Sequence, residues 1–219
     1  MTDALLVIFG PVLKPFLLVF APTPSWDREY RAQRGVAFHL FLFLLPLLVI
    51  SSVGEAHRLV QWGVLRGEFA HRKLFSLNEA ILFEVINFLL SLSVVFVSAQ
   101  MIKAVGETFH GRHTFTQAFA TVALALSPFF LIRLIDGLKD VPFWLSWGIG
   151  LLIAIRVLYS GVPRMMQPDP AHAFGLFIMS CFLIILTTGL AELLTSCYLL
   201  GKFPKLESVI TDLSHRLPF

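Results

Sequence analysis

An all-α, polytopic membrane fold follows from three observations. Apolar residues make up 57% of the 219-residue chain, charged residues only 14%, and mean hydropathy is +0.80. Soluble domains carry about 25% charged residues, so this chain has too little polar surface to coat a water-exposed body. Five separate apolar stretches are each long enough to cross a hydrocarbon core as a helix, which takes about 20 residues. The expected architecture is a five-helix transmembrane bundle with interfacial amphipathic helices before and after it. Residues 1–35 form the N-terminal interfacial segment, 36–200 the transmembrane unit and 201–219 an amphipathic tail.

Residues 4–20 are apolar but are broken by Pro11, Lys14 and Pro15. A signal peptide would need a basic start, yet Asp3 is the one early charge, and Pro22 would follow the only suitable cleavage point at Ala21. A helix lying in the plane of the interface fits better. The segment after it brings Trp26, Tyr30, Arg28, Arg31 and Arg34, residue types that anchor at head-group depth.

The five spans are expected at about 36–53, 80–104, 114–135, 142–160 and 172–199. They are too long and too evenly apolar for barrel strands, and a helix satisfies its own backbone in lipid. Pro46 and Pro128 fall inside the first and third spans. Each removes a backbone donor and is expected to kink its helix toward neighbouring helices. Gly148 and Gly150 in the fourth span are expected to let another helix come close. The loop at about 54–78 is the longest connection. In the tail, Leu206, Val209, Ile210, Leu213 and Leu217 recur at helical spacing, with Glu207, Asp212 and His215 on the other side. Lys and Arg divide eight against nine between the two sides, so charge does not orient the chain.

Some function classes lack their residues. A net charge of +3 spread over short loops is not a nucleic-acid footprint, so membrane lipids and membrane proteins, or further copies of this chain, are the expected partners. Cys181 and Cys197 sit about 24 Å apart along one helix, too far for a disulfide. His110 and His113 share a short loop with Gly111 between them and no third ligand nearby, which argues against a metal. The chain has no nucleophile elbow, zinc-protease helix or phosphate loop. It is therefore read as a non-enzyme without a cofactor.

Ionisable residues in spans are the default functional candidates. Arg133, Asp136 and Arg156 are expected near span ends, where they can snorkel to the interface, and Arg133 and Asp136 are spaced to pair with each other. Glu84, Asn87 and Ser91 share one face of the second span, and Glu192 lies among threonines in the fifth. Glu192 could pair with Arg156 or Arg133. The polar face is expected to join helices. The alternative is a small transporter or channel whose path is lined by Glu84, Asn87 and Glu192.

Three stretches resemble the Yip1 domain family. GRHTFTQAFATVALALSPFFL at 111–131 is similar to the family's third span with its Ser-Pro step. LYSGVPRMM at 158–166 resembles its Tyr-x-Gly ending of span four. APTPSWDREY at 21–30 resembles the Pro…Trp segment before span one in bacterial members. The resemblance implies structural roles for Pro128, Tyr159, Gly161 and Pro163. It also implies a scaffold or accessory protein, linked to export or trafficking machinery, in a bacterial inner membrane with a cytoplasmic N-terminus.

Overall fold

The computed structural model describes residues 13–66, 71–110, 113–139 and 141–216. Residues 13–20 are helical and lead into α1, Pro22–Ala32. The five long helices follow: α2 (Val36–Gln61), α3 (Leu77–Thr108), α4 (Phe115–Ile132, running on as a 3₁₀ turn to Gly137), α5 (Phe143–Met166) and α6 (Ala173–Leu199). All five are long and apolar enough to span a bilayer, and the protein is an integral, multi-pass membrane protein. A final helix, α7, covers Pro204–Arg216.

Local chemistry sets the boundaries. Ser76 caps α3 and Thr114 caps α4. Each side-chain oxygen accepts from the N–H three residues on, while Glu79 and Gln117 reach back to the capping residue's own N–H. The helix α2 widens into a π stretch at Leu40–Leu44 immediately before Pro46, which relieves the clash the proline ring would otherwise cause. Pro46 is half-buried and Pro128 is fully enclosed by the bundle.

The loop expected at 54–78 is shorter than the sequence suggested. α2 continues to Gln61, and a small antiparallel hairpin of β1 (Val64–Arg66) and β2 (His71–Lys73) makes the turn into α3. Hydropathy ends at Val53 because Glu55, His57 and Arg58 follow, but the helix continues, with Glu55 buried and Arg58 half-buried against the protein and His57 exposed.

The helix α4 is the axis of the bundle. Its apolar window is 78% buried, against 33% for α2, α3 and α6. Alanines at 118, 120, 123 and 125 bring neighbouring backbones close, and α5, α3 and α2 pack around it. Gly150 of α5 lies against Phe129, where an added Cβ would come within 3.1 Å of the Phe129 backbone. Between α3 and α6, Ser98 and Thr187 share a hydrogen bond of 2.7 Å.

The flanking helices differ in which side faces in. Trp26 was expected among the head groups; instead it is fully buried, with its ring against Gly161 of α5. In α7, Leu206, Val209 and Leu213 are exposed, while Ile210 is buried. Glu207 turns inward to Arg66 (2.7 Å) and Lys73. Thr211 donates to Glu79, and Asn78 donates to the Ser214 carbonyl. The tail is thus fastened by its polar side and presents apolar residues outward; Leu217 lies outside the described residues.

Candidate functional site

The residues of greatest chemical interest form a polar cluster inside the end of the bundle that carries the hairpin and α7. Its centre is Arg133, at the junction of α4 and the 3₁₀ turn. Arg133 donates to Glu55 of α2 at 2.8 Å and to Ser91 of α3 at 3.4 Å. Asn87 donates to the same Glu55 oxygen at 3.2 Å. Arg58 approaches Glu55 from one helical turn away, at 3.9 Å. Asp136 lies 3.9 Å from Arg133 and accepts from Ser146 of α5.

Two acids join without a close ion-pair partner among the described residues. Glu84 is buried beside the Ser52 hydroxyl and the Asn87 amide, its polar neighbours. Glu192 reaches a cavity of about 20 Å³ that it shares with Asn87, Ser91, Arg133, Thr188 and Thr195. That volume holds roughly one water molecule. Glu55 lies six residues from the end of α2, Glu84 seven from the start of α3, and Glu192 seven from the end of α6. At 1.5 Å per residue the three carboxyls share one level, about 10 Å in from their helix ends.

Several expectations need correction. Arg133 and Asp136 do not snorkel; both are buried. Arg133 pairs with Asp136 at 3.9 Å, as their spacing suggested, and has a closer partner in Glu55. The reason is the depth of α4: a residue near its end still has α2, α3 and α5 around it. Arg156 is not part of the cluster. It sits on the outer face of α5, exposed, with no acidic partner among the described residues, and it does not pair with Glu192. Glu84, Asn87 and Ser91 do share one buried face. The sequence reading missed Glu55 and Arg58 because it ended span one at residue 53. Their i, i+3 spacing continues the helix and was the available signal.

The four residues implicated by resemblance divide by environment. Pro128 and Gly161 are buried, whereas Tyr159 and Pro163 face outward from α5. At Gly161 a Cβ would approach Trp26 to 2.5 Å, so only glycine allows this contact between α1 and α5.

A second polar group lies at the opposite end, where α1 meets the first turn of α2. Glu29 of α1 is buried and pairs with Lys14 and with His39 Nε2 at 2.8 Å. Burial pushes the Glu29 carboxyl up, but the hydrogen bond from His39 and the charge of Lys14 outweigh it and hold it at about 2. Lys14 is pushed down by burial and partly restored by Glu29. A cavity of about 270 Å³ opens beside them, lined by Arg34, His39, Thr114 and Gln117 among others.

A family model described as Yip1 domain matches residues 16–191, most of the chain. No curated protein and no solved structure matches it.

Proposed function

Since the chain belongs to the Yip1 domain family, we propose that it is a membrane scaffold or accessory protein that works by associating with other membrane proteins. The proposal places it in a bacterial inner membrane with α1 on the cytoplasmic side, next to export or trafficking machinery. One observation carries most weight. The charged groups of the spans turn inward onto one another around a cavity with room for about one water, while α2, α3 and α6 present broad apolar faces outward. Polar side chains closed on themselves join helices; they do not make a path. The chemistry of the cluster is that of a clasp holding α2, α3, α4 and α5 together.

The test is gentle detergent extraction from the native host, affinity capture and identification of co-purifying proteins. A reproducible stoichiometric membrane partner is expected. A protein that comes out alone, with no partner before or after crosslinking, would count against the reading.

One observation favours transport as the second reading. Four carboxyls (Glu55, Glu84, Asp136 and Glu192) meet two guanidiniums, Arg58 and Arg133, and Glu84 has no ion-pair partner among the described residues. Such an excess of acid suits a proton or cation passing through. Ion flux in proteoliposomes that is abolished by Glu84→Gln would establish this reading. Flux no greater than in empty vesicles would dismiss it.

A further inference from the structure

The outer face of α5 is unlike the other outer faces. Leu145, Ile149, Leu152, Arg156, Tyr159 and Pro163 are all exposed, and they succeed one another at spacings of four, three, four, three and four residues. That alternation is the seam of a left-handed helix pair. Gly148 lies beside it with open space where a Cβ would stand, which permits close approach of another backbone. The middle of this seam is occupied by a cation. By contrast, the exposed residues midway along α3 and α6, such as Leu89 and Leu186, are uncharged.

The depth of Arg156 defines the problem. It is ten residues from Met166 and thirteen from Phe143, so it lies about 15 Å from the nearer end of α5 and close to the bilayer mid-plane. A helical side chain leans toward the N-terminus of its helix. For Arg156 that direction leads away from the nearer surface, so snorkelling is opposed by geometry. An unpaired guanidinium at the centre of a membrane-spanning helix is costly to insert. Rare and costly residues of this kind ordinarily meet a counter-charge.

The described residues of this chain do not provide one. The carboxyls Glu55, Glu84, Asp136 and Glu192 lie near the opposite helix ends and belong to the inward cluster; Glu79 lies two residues from the start of α3 and Glu107 one residue from its end. Two copies side by side in one membrane keep each residue at its own depth, so a second copy brings no carboxylate to the level of Arg156.

We propose that the seam of α5 is a docking surface for a transmembrane helix of a different protein, one that carries an Asp or Glu at the level of Arg156. A charged residue at such a position fixes the register of a helix pair, while the leucines and Tyr159 on either side supply packing. This rests on the accessory reading above and narrows it to one helix face and one partner chemistry.

The test uses the full-length protein in its native membrane, with a photoreactive phenylalanine in place of Leu152, one turn from Arg156. A control probe replaces Leu89 on α3. After illumination the adduct is sized and its peptides identified by mass spectrometry. The expected result is one protein adduct from position 152, of a mass other than twice the chain. Its crosslinked peptide is a membrane-spanning segment containing Asp or Glu. Arg156→Leu should reduce the adduct at least fivefold, and Arg156→Lys should retain more of it. Because the residue faces outward, both variants should keep the native Trp26 and Trp147 emission. Lipid adducts alone, a dimer of this chain, a partner segment without a carboxyl, or indifference to Arg156→Leu would each overturn the proposal. If position 89 or probes on other faces capture a partner and position 152 does not, the seam is wrong and the accessory reading stands. Absence of a protein adduct from every face removes both.

Discussion

Replacing Arg133 by Met removes the cation at the centre of the polar cluster while nearly preserving side-chain volume. Glu55 then loses its 2.8 Å partner, and Asp136 and Ser91 lose their contacts with the same guanidinium. Breaking one side of a buried ion pair costs about 3–5 kcal/mol, because the remaining charge stays desolvated. Glu55→Gln keeps the shape and leaves Arg133 with Asp136, so its cost should be smaller, about 1–3 kcal/mol, in the range for a lost buried hydrogen bond. The double variant is the informative one. With both partners gone no new unpaired charge arises at that contact, and the loss should fall short of the sum of the single losses by about 2–3 kcal/mol. The assay is reversible unfolding in mixed micelles, titrating sodium dodecyl sulfate and following tryptophan emission. Additivity within about 0.5 kcal/mol would mean that the two residues do not act as a pair. A loss below about 1 kcal/mol for Arg133→Met would mean that the cluster is not buried in the bilayer at all.

Acid should loosen the N-terminal helix first. The folded Glu29 carboxyl is held at about 2, below its ordinary 4.5. Its contribution is therefore complete above about pH 4.5 and is lost as pH falls toward 2. Trp26 emission should shift over that interval in the native protein and much less in Glu29→Gln. Gly161→Val should cost about 1–3 kcal/mol by overpacking against Trp26, and Gly161→Ala less; native unfolding midpoints in both would remove the contact from consideration. Burial pushes the Glu207 carboxyl up, but its bonds to Lys73 and Arg66 bring it below the ordinary range. Glu207→Gln should speed amide exchange across 204–216 without changing exchange in α4, and equal protection in both proteins would show that α7 is held by other contacts.

The helices were legible in the sequence because lipid imposes a single length and a single chemistry on each span. Their ends were less so. Hydropathy stops where charge begins, and in α2 the charged Glu55 and Arg58 are inside the protein, so the helix outlasts its apolar stretch. Which polar residues meet was partly legible. The spacing of Glu84, Asn87 and Ser91 gives a shared face, but nothing in one helix says that Glu55 from another will reach it. Arg133 and Arg156 read alike in sequence, as basic residues in the latter half of a span. Three-dimensional enclosure separates them: Arg133 follows the central helix and is surrounded, whereas Arg156 occupies a side of α5 that no other described helix covers. Trp26 and the leucines of α7 show the same limit. Amphipathic spacing reveals two sides of a helix but not which of them the bundle takes.

The enclosure of α4 has a consequence for biogenesis. The ribosome delivers α4 third among the long helices, before α5 and α6 exist. Its alanine-rich flank must therefore meet acyl chains at first, and lipid must be expelled when α5 arrives. Arg133 enters the membrane at the same stage, with Glu55 and Ser91 already present on α2 and α3 to receive it. The order of the chain thus supplies the counter-charge before the charge, and an insertion intermediate ending just after α4 is already electrostatically complete at Glu55.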